Sequence, residues 1–108
     1  MAKSKALKRK EITFDIDVNE LRAHFGDTSK KTKKYTKAYR ELKKFFSKRD
    51  FEHRQGSVYC SNKGMQRADV YELVDELKKE CPWLTTSLKR MDVADIGELH
   101  ELTSMITT

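Results

Sequence analysis

An alternating segment near the N-terminus constrains the fold more than any other feature of the chain. Apolar and polar residues alternate strictly between residues 10 and 18, and the apolar ones are Ile12, Phe14, Ile16 and Val18. This period of two predicts a strand with one buried side. Asp15 points to the other side, although aspartate is disfavoured in strands. A carboxylate there indicates a functional role, and an ordinary solvent-facing residue is the alternative.

The remaining pattern predicts two amphipathic helices and three more strands. Apolar residues recur at three- and four-residue spacing in both helices, and Pro82 ends the second. The expected order is a strand at 10–18, a helical turn at 19–25 stopped by Gly26, a helix at 31–48, strands at 50–55 and 57–61, a helix at 66–81, a strand at 88–95 and a short helix or turn at 98–106.

This order predicts an α+β chain with a ferredoxin-like βαββαβ fold, in which an antiparallel four-stranded sheet carries two helices on one side. The first strand is then central, between the third and the fourth. Asp15 therefore lies on the side without helices, and Ser57 and Asp92 lie beside its strand. We expect one domain over residues 10–108, preceded by a basic flexible tail at 1–9.

Charge is high and unevenly distributed. Charged residues make up 37% of the 108, against roughly 25% in an average domain, and the net charge is +6. Ten Lys and Arg residues lie between residues 28 and 49, with Glu41 as the one acid. Such a cluster attracts polyanions, although a solvated helix face is the other interpretation. No apolar stretch reaches the ~18 residues of a membrane span, and no signal peptide is apparent, so we expect a cytoplasmic protein without a membrane partner.

Three segments resemble the virulence-associated protein D (VapD) family: Phe14-Asp15 in the first strand, residues 51–59 at the hairpin and residues 89–93 in the last strand. The resemblance covers about residues 11–106. It implies a ferredoxin-like dimer, related in fold to the small nuclease of CRISPR adaptation modules. It further implies an endoribonuclease that cleaves RNA at a dimer-interface patch around Asp15, in some cases as a toxin held in check by an antitoxin protein.

The resemblance also assigns catalytic residues. The first-strand acid corresponds to Asp15 and the hairpin serine to Ser57, while Asp92 and Asp95 both compete for the last-strand acid. We take Asp15, Ser57 and Asp92 as the catalytic candidates, although Gly56-Ser57 is equally typical of a simple hairpin turn. RNA cleavage by the 2′-hydroxyl needs a base and charge stabilisation; alternatively Asp15 helps to hold Mg²⁺. No other cofactor is expected.

Binding residues are expected around this patch. Tyr59 is assigned to the dimer interface, with base stacking as the alternative. The candidate RNA-binding residues are basic: Arg54, Lys30, Lys31, Lys33, Lys34 and Lys37. A non-catalytic RNA-binding or dimerisation module on the same fold stays open. RNA-binding modules place two aromatic residues on the third strand, where this chain has Tyr59 alone.

Overall fold

The structure is a computed structural model that describes residues 7–27, 33–97 and 102–107. No helix in these three ranges has the length and apolar character that a membrane crossing requires. The elements in chain order are β1 (Arg9–Ile16), α1 (Val18–His24), α2 (Thr36–Ser47), β2 (Phe51–Gln55), β3 (Val58–Ser61), α3 (Arg67–Glu80), α4 (Leu84–Ser87), β4 (Leu88–Ile96) and α5 (Thr103–Thr107).

The four strands form one antiparallel sheet in the order β2-β3-β1-β4, which confirms the ferredoxin-like α+β prediction. The central strand β1 pairs with β4 along its whole length and with β3 over its middle. Residues that face each other across two strands lie on the same side of a sheet. This pairing therefore fixes the side on which each polar residue lies.

Helices α2 and α3 cover one side of the sheet. Their buried residues form a core with Ile12, Phe14 and Ile16 of β1, as the alternation predicted. Phe46 of α2 lies at the centre of this core. Its ring centroid is 4.4–5.7 Å from those of Phe14, Phe45, Phe51 and Tyr59.

Chain ends and connections differ from expectation in three places. Strand β1 begins at Arg9, one residue early, and ends at Ile16, so Val18, which was expected on its buried side, is instead the exposed first residue of α1. Helix α2 begins at Thr36 rather than near residue 31, because the Asp27 carboxylate accepts the N–H groups of Lys34 and Tyr35 and holds them in a turn. Helix α4 was not anticipated. Residues 1–6 of the expected tail and 98–101 of the expected last helix or turn lie outside the described residues.

Local capping explains how β1 leads into the helical layer. The Asp17 side chain accepts the N–H groups of Asn19 (2.9 Å) and Glu20 (3.2 Å), so it ends the strand and starts α1. Gly26 follows α1 with a φ of 72°, in the left-handed region where glycine is favoured, and it stops the helix as expected. The chain therefore turns into α1 two residues after Asp15.

Replacing Phe46 with Ala tests the aromatic core. We expect the free energy of unfolding to fall by about 3–5 kcal/mol, because the substitution removes a ring that contacts four others and leaves a cavity. Urea unfolding followed by circular dichroism measures the loss, and Phe46→Leu, which refills most of the volume, should lose much less. A loss below about 1 kcal/mol for Phe46→Ala would contradict this placement of the core.

Candidate functional site

The side of the sheet opposite α2 and α3 is the open face. By strand register and alternation it carries thirteen residues of the four strands: Arg9, Glu11, Thr13 and Asp15 of β1, Arg90, Asp92, Ala94 and Ile96 of β4, Val58 and Cys60 of β3, and Glu52, Arg54 and Gln55 of β2, with a bulge opposite Val58. Most of these are charged or polar. The open face is therefore the surface on which the sequence-predicted residues have to meet.

Asp15 lies exposed on the open face, as predicted from the alternation. Its register partner on β4 is Arg90, and Asp92 stands two residues further along, opposite Thr13. Diagonal neighbours of this kind are about 7–8 Å apart. Asp15 and Asp92 thus form a pair of carboxylates on one surface, with Arg90 beside both.

Arg90 was not among the predicted site residues. Its Nε atom donates to the Oδ2 atom of Asp92 at 2.7 Å, and it stands opposite Asp15 in the register. The signal was present in the sequence: once Asp92 is set opposite Thr13, antiparallel pairing places Arg90 opposite Asp15. A guanidinium at this place offers charge stabilisation to a phosphate bound between the two carboxylates.

Asp95, the alternative to Asp92 as the last-strand acid, lies on the helix-covered side of the sheet. It faces Lys10 in the register and forms a salt bridge with that lysine, whose side chain is 11% exposed. The hydrogen bond from Lys10 is the main reason that the pKa of Asp95 lies below its usual range. Asp95 is therefore separated from Asp15 by the sheet, and the geometry favours Asp92 as the last-strand candidate.

Ser57 lies in the turn between β2 and β3 rather than on β3 itself. Its backbone carbonyl accepts the N–H of Phe14 at 3.0 Å, so it stands opposite Phe14, which points to the core. Gly56, with a φ of 43°, makes the turn before it. Ser57 is half-buried and outside the row that joins Val58, Thr13 and Asp92. It therefore does not join Asp15 and Asp92 on the open face, and its position suits a turn residue.

Tyr59 lies on the other side of the sheet from Asp15. Its ring is 1% exposed and stacks between Phe46, at 4.4 Å, and His53, at 4.8 Å. Burial is the main reason that the pKa of Tyr59 rises to about 12. The expectation that this ring lines a dimer interface does not fit its position, because alternation on β3 directs it into the core.

His53 and Arg54 point to opposite sides of β2. His53 is exposed; its ring stacks on Tyr59, and its Nε2 atom is 2.6 Å from the carbonyl oxygen of Gly56. Arg54 lies on the open face and donates to Glu52 at 2.9 Å. It also borders a shallow depression of about 280 Å³ beside Val58.

Cys60 is the buried member of the open face. Its Sγ atom is 3.8 Å from the Glu11 carboxylate. Burial, and after it the negative charge of Glu11, raises the pKa of this thiol. Since the thiolate is the reactive form of cysteine, Cys60 is poorly suited to be a nucleophile near neutral pH.

The predicted RNA-binding lysines that the structure describes lie in the helical layer. Lys33 and Lys34 precede α2, and Lys37 is on its exposed side, while Lys30 and Lys31 lie outside the described residues. Helix α2 covers the side of the sheet opposite Asp15. Its first turn nevertheless lies at the Asp15 end of the domain. Helix α1 follows β1 at this end, and Arg22 of α1 and Asp27 after it contact residues 34 and 35.

The donors available for Mg²⁺ on the open face are few. No cluster of three His, Cys, Asp or Glu residues able to hold a metal occurs within the described part of the chain. Asp15 and Asp92 supply two carboxylates, which fits the way Mg²⁺ is usually held, with several waters and substrate phosphate completing its shell. A Mg²⁺ bound there would neutralise phosphate charge and activate water.

The fold and the open face define a class: small ferredoxin-like α+β domains with carboxylates on an uncovered sheet. None of the sequence profiles that define protein families matches the chain. It is, however, 30% identical over 95 residues to Endoribonuclease VapD of Dichelobacter nodosus, covering 88% of this chain and 94% of that protein. The chain therefore belongs to the VapD family of endoribonucleases.

Two further relatives agree with this assignment. Endoribonuclease VapD 2 of Riemerella anatipestifer is 28% identical over 97 residues, 89% of this chain and 97% of that protein. Endoribonuclease VapD of Helicobacter pylori is 25% identical over 96 residues, 88% of this chain and 95% of that protein. The described fold thus corresponds to nearly the whole length of each relative.

The salt bridge between Lys10 and Asp95 predicts a specific pH dependence of stability. Because the folded state lowers the pKa of Asp95, the stabilisation is present above the unfolded-state value of about 3.9 and is lost as pH falls through the lower folded-state pKa. The free energies of unfolding of wild type and Asp95→Asn should therefore differ most above about pH 5, with wild type the more stable, and should converge in acid. Denaturant titrations across this range measure it.

Lys10→Met provides the control for this titration. In that background the Asp95→Asn substitution should have little remaining pH-dependent effect, because the lysine that lowers the pKa is gone. An equal pH dependence with and without Lys10 would show that the salt bridge is not its source.

Proposed function

We propose that this chain is an endoribonuclease that cleaves RNA on the open face, with Asp15 as the central catalytic residue. The observation that carries the proposal is the arrangement of Asp15, Arg90 and Asp92 on an uncovered sheet surface in a member of an endoribonuclease family. All three relatives are named as endoribonucleases, so RNA is the substrate class that we propose. The cytoplasm, where RNA is available, is the proposed location.

The chemistry requires a base and a positive charge. In the metal-free route the Asp15 carboxylate takes the proton of the 2′-hydroxyl, whose oxygen bonds to the adjacent phosphorus while the bond to the 5′-oxygen breaks. Arg90 stabilises the charge on the phosphate oxygens, and a protonated group or water supplies the proton to the leaving oxygen. In the other route, Asp15 and Asp92 would hold Mg²⁺, which would supply an activated water in place of the 2′-hydroxyl.

The proposal includes a homodimer in which the open faces of two copies approach each other. A domain of this size buries a modest fraction of its surface alone, so association stabilises it. Two copies of Asp15 near a two-fold axis would raise each other's proton affinity or share a cation. Tyr59 has no part in this interface, because it is buried beneath the helices.

Positively charged side chains on and beside the open face are assigned to RNA binding. Arg54 lies on the open face itself, and Lys33 and Lys34 lie at the Asp15 end of the domain. Lys37 follows on the exposed side of α2, farther from the scissile position. We assign these residues to binding of the RNA backbone, since phosphate contacts fix position and orientation.

A non-catalytic RNA-binding module is less well supported. Such modules stack bases on aromatic residues of the sheet, and Tyr59 was the one candidate on the third strand. Tyr59 points into the core, and none of the open-face residues defined above is aromatic. A toxin role with an antitoxin partner is part of the proposal through the family resemblance alone, and growth arrest on induction, relieved by Asp15→Asn, would support it.

Asp15→Asn is the decisive substitution. We expect cleavage of a defined single-stranded RNA to fall by at least about 100-fold, because the amide cannot take a proton or hold a cation. The single-turnover rate should be measured with and without chelator. Cleavage that persists in chelator and leaves cyclic phosphate ends would assign the metal-free route.

Asp75→Asn is the matched control, because Asp75 is exposed on α3, away from the open face. It should cleave at the wild-type rate. If Asp15→Asn also retains the wild-type rate, Asp15 is not catalytic or the activity belongs to a contaminant. Sedimentation of the same samples tests the proposed dimer.

Neutralising Lys33 and Lys34 together with Gln tests the path of the RNA. Loss of two phosphate contacts should weaken binding to the Asp15→Asn protein and reduce the slope of log affinity against log salt by about 1.4. Fluorescence anisotropy with labelled RNA measures both quantities. The paired control is Lys44→Gln with Lys48→Gln, at the opposite end of α2; equal effects of the two pairs would indicate a general charge effect and contradict a defined path.

A further inference from the structure

A groove of about 390 Å³ lies between α3 and β4, on the helix-covered side of the sheet. It is separate from the open face. Its lining residues come from β1, α3 and β4: Lys10, Arg67, Val70, Tyr71, Val93 and Asp95. Strand β4 is at the edge of the sheet, so the groove is open at this edge.

The groove exposes an aromatic ring above an apolar floor. Tyr71 is 62% exposed and Val93 is 49% exposed, whereas Val70 between them is buried. An exposed tyrosine ring beside aliphatic side chains suits a flat ring that can stack on it. Among the described residues of α3, Tyr71 is the one aromatic side chain, so stacking here depends on that position.

Positive charge surrounds this ring. Lys10 is paired with Asp95, but neither Arg67 nor Lys8 forms a salt bridge within the described residues. Both still lie near enough to Asp95 to help Lys10 to lower the pKa of its carboxyl group. The groove therefore combines a stacking surface with cations that are available to an anion.

Lys8 is held near the groove by the backbone. The Lys8 carbonyl accepts the N–H of Met65 at 3.0 Å. Gly64 packs closely on Leu7: a Cβ atom added to Gly64 would lie 2.2 Å from the carbonyl oxygen of Leu7. Leu7 and Lys8, which precede β1, thus pack against the loop that leads into α3.

We propose that this groove binds a nucleotide of single-stranded RNA that flanks the cleaved bond, with its base stacked on Tyr71 and its phosphate on Arg67 and Lys8. The combination of stacking platform and cations is typical of single-stranded RNA sites. The inference deepens the proposed function, on which it rests. It assigns a specificity subsite to the helix-covered side of the sheet.

The path from the cleavage site to the groove crosses the β4 edge. Asp92 points to the open face and the next residue, Val93, to the groove, since successive strand residues point to opposite sides. An RNA of a few nucleotides would reach the open face alone. A longer one would pass the edge and reach Tyr71, so the groove should affect long substrates selectively.

Binding of two labelled RNAs to the Asp15→Asn protein tests this inference. A trinucleotide should bind equally to proteins with and without Tyr71→Ala. An RNA of about 12 nucleotides should lose at least about 5-fold in affinity with Tyr71→Ala and less than about 2-fold with Tyr71→Phe, which keeps the ring. Arg67→Gln should weaken binding of the long RNA, whereas Lys79→Gln and Glu72→Ala, exposed elsewhere on α3, should not.

Photo-crosslinking of 5-iodouridine RNA gives a second measurement, with Tyr71 as the expected attachment site. The inference would be overturned if the long RNA bound with equal affinity to the proteins with Tyr71 and with Tyr71→Ala and gave no crosslink to Tyr71. Dissociation of a dimer by Tyr71→Ala would also overturn it, because the groove would then be a contact between copies. If the length-dependent Tyr71 effect is found but Asp15→Asn does not reduce cleavage, the subsite stands and the proposed catalytic role fails.

Discussion

The central strand β1 pairs with neighbours on both sides, and this pairing determines where every candidate functional side chain lies. Its apolar residues fill the core beneath α2 and α3, so Glu11, Thr13 and Asp15, which alternate with them, have to face the other way. A shift of one residue in the register would exchange the two sides and bury Asp15. The apolar core and the position of the functional carboxylate are therefore set by the same hydrogen bonds.

The register also separates residues that are close in sequence. Asp92 and Asp95 are three positions apart on β4, and an odd spacing places them on opposite sides of the sheet. One meets Thr13 and Arg90 in a solvent-exposed row, and the other meets Lys10 above α3. Two acids that were equivalent in the resemblance thus acquire different surroundings: Asp92 is available to substrate, while Asp95 forms a salt bridge.

Sequence periodicity predicted the strand order and the side on which Asp15 lies, because alternation in β1 is unambiguous. It did not place Tyr59, since Val58, Tyr59 and Cys60 are all apolar enough to face a core, and their alternation has no polar residue to orient it. Arg90 was missed because its role appears only when the β1–β4 register is written out. Helix α2 begins late because Asp27 accepts the N–H groups of residues seven and eight positions further along the chain, and periodicity does not detect such a contact.

Charge on the open face raises the question of how it would attract RNA. Its acids are Glu11, Asp15, Glu52 and Asp92. Two of its three arginines, Arg54 and Arg90, are hydrogen-bonded to carboxylates on the same surface, and the third, Arg9, donates to the Ser61 carbonyl. Such a surface has little attraction for a polyanion by itself. Further positive charge lies at its margins, in the turn before α2 and around the groove between α3 and β4.

This distribution is physically coherent for the proposed nuclease. Phosphate contacts far from the cleaved bond supply affinity and direct the strand across the sheet, while the bond itself meets carboxylates whose negative charge suits a base or a bound cation. A lysine-rich open face would bind RNA more tightly but would stabilise the bound substrate as much as the transition state, and uniform binding of this kind does not accelerate the chemical step. On this argument the acidic character of the open face is a requirement of the chemistry, and the basic margins compensate for it.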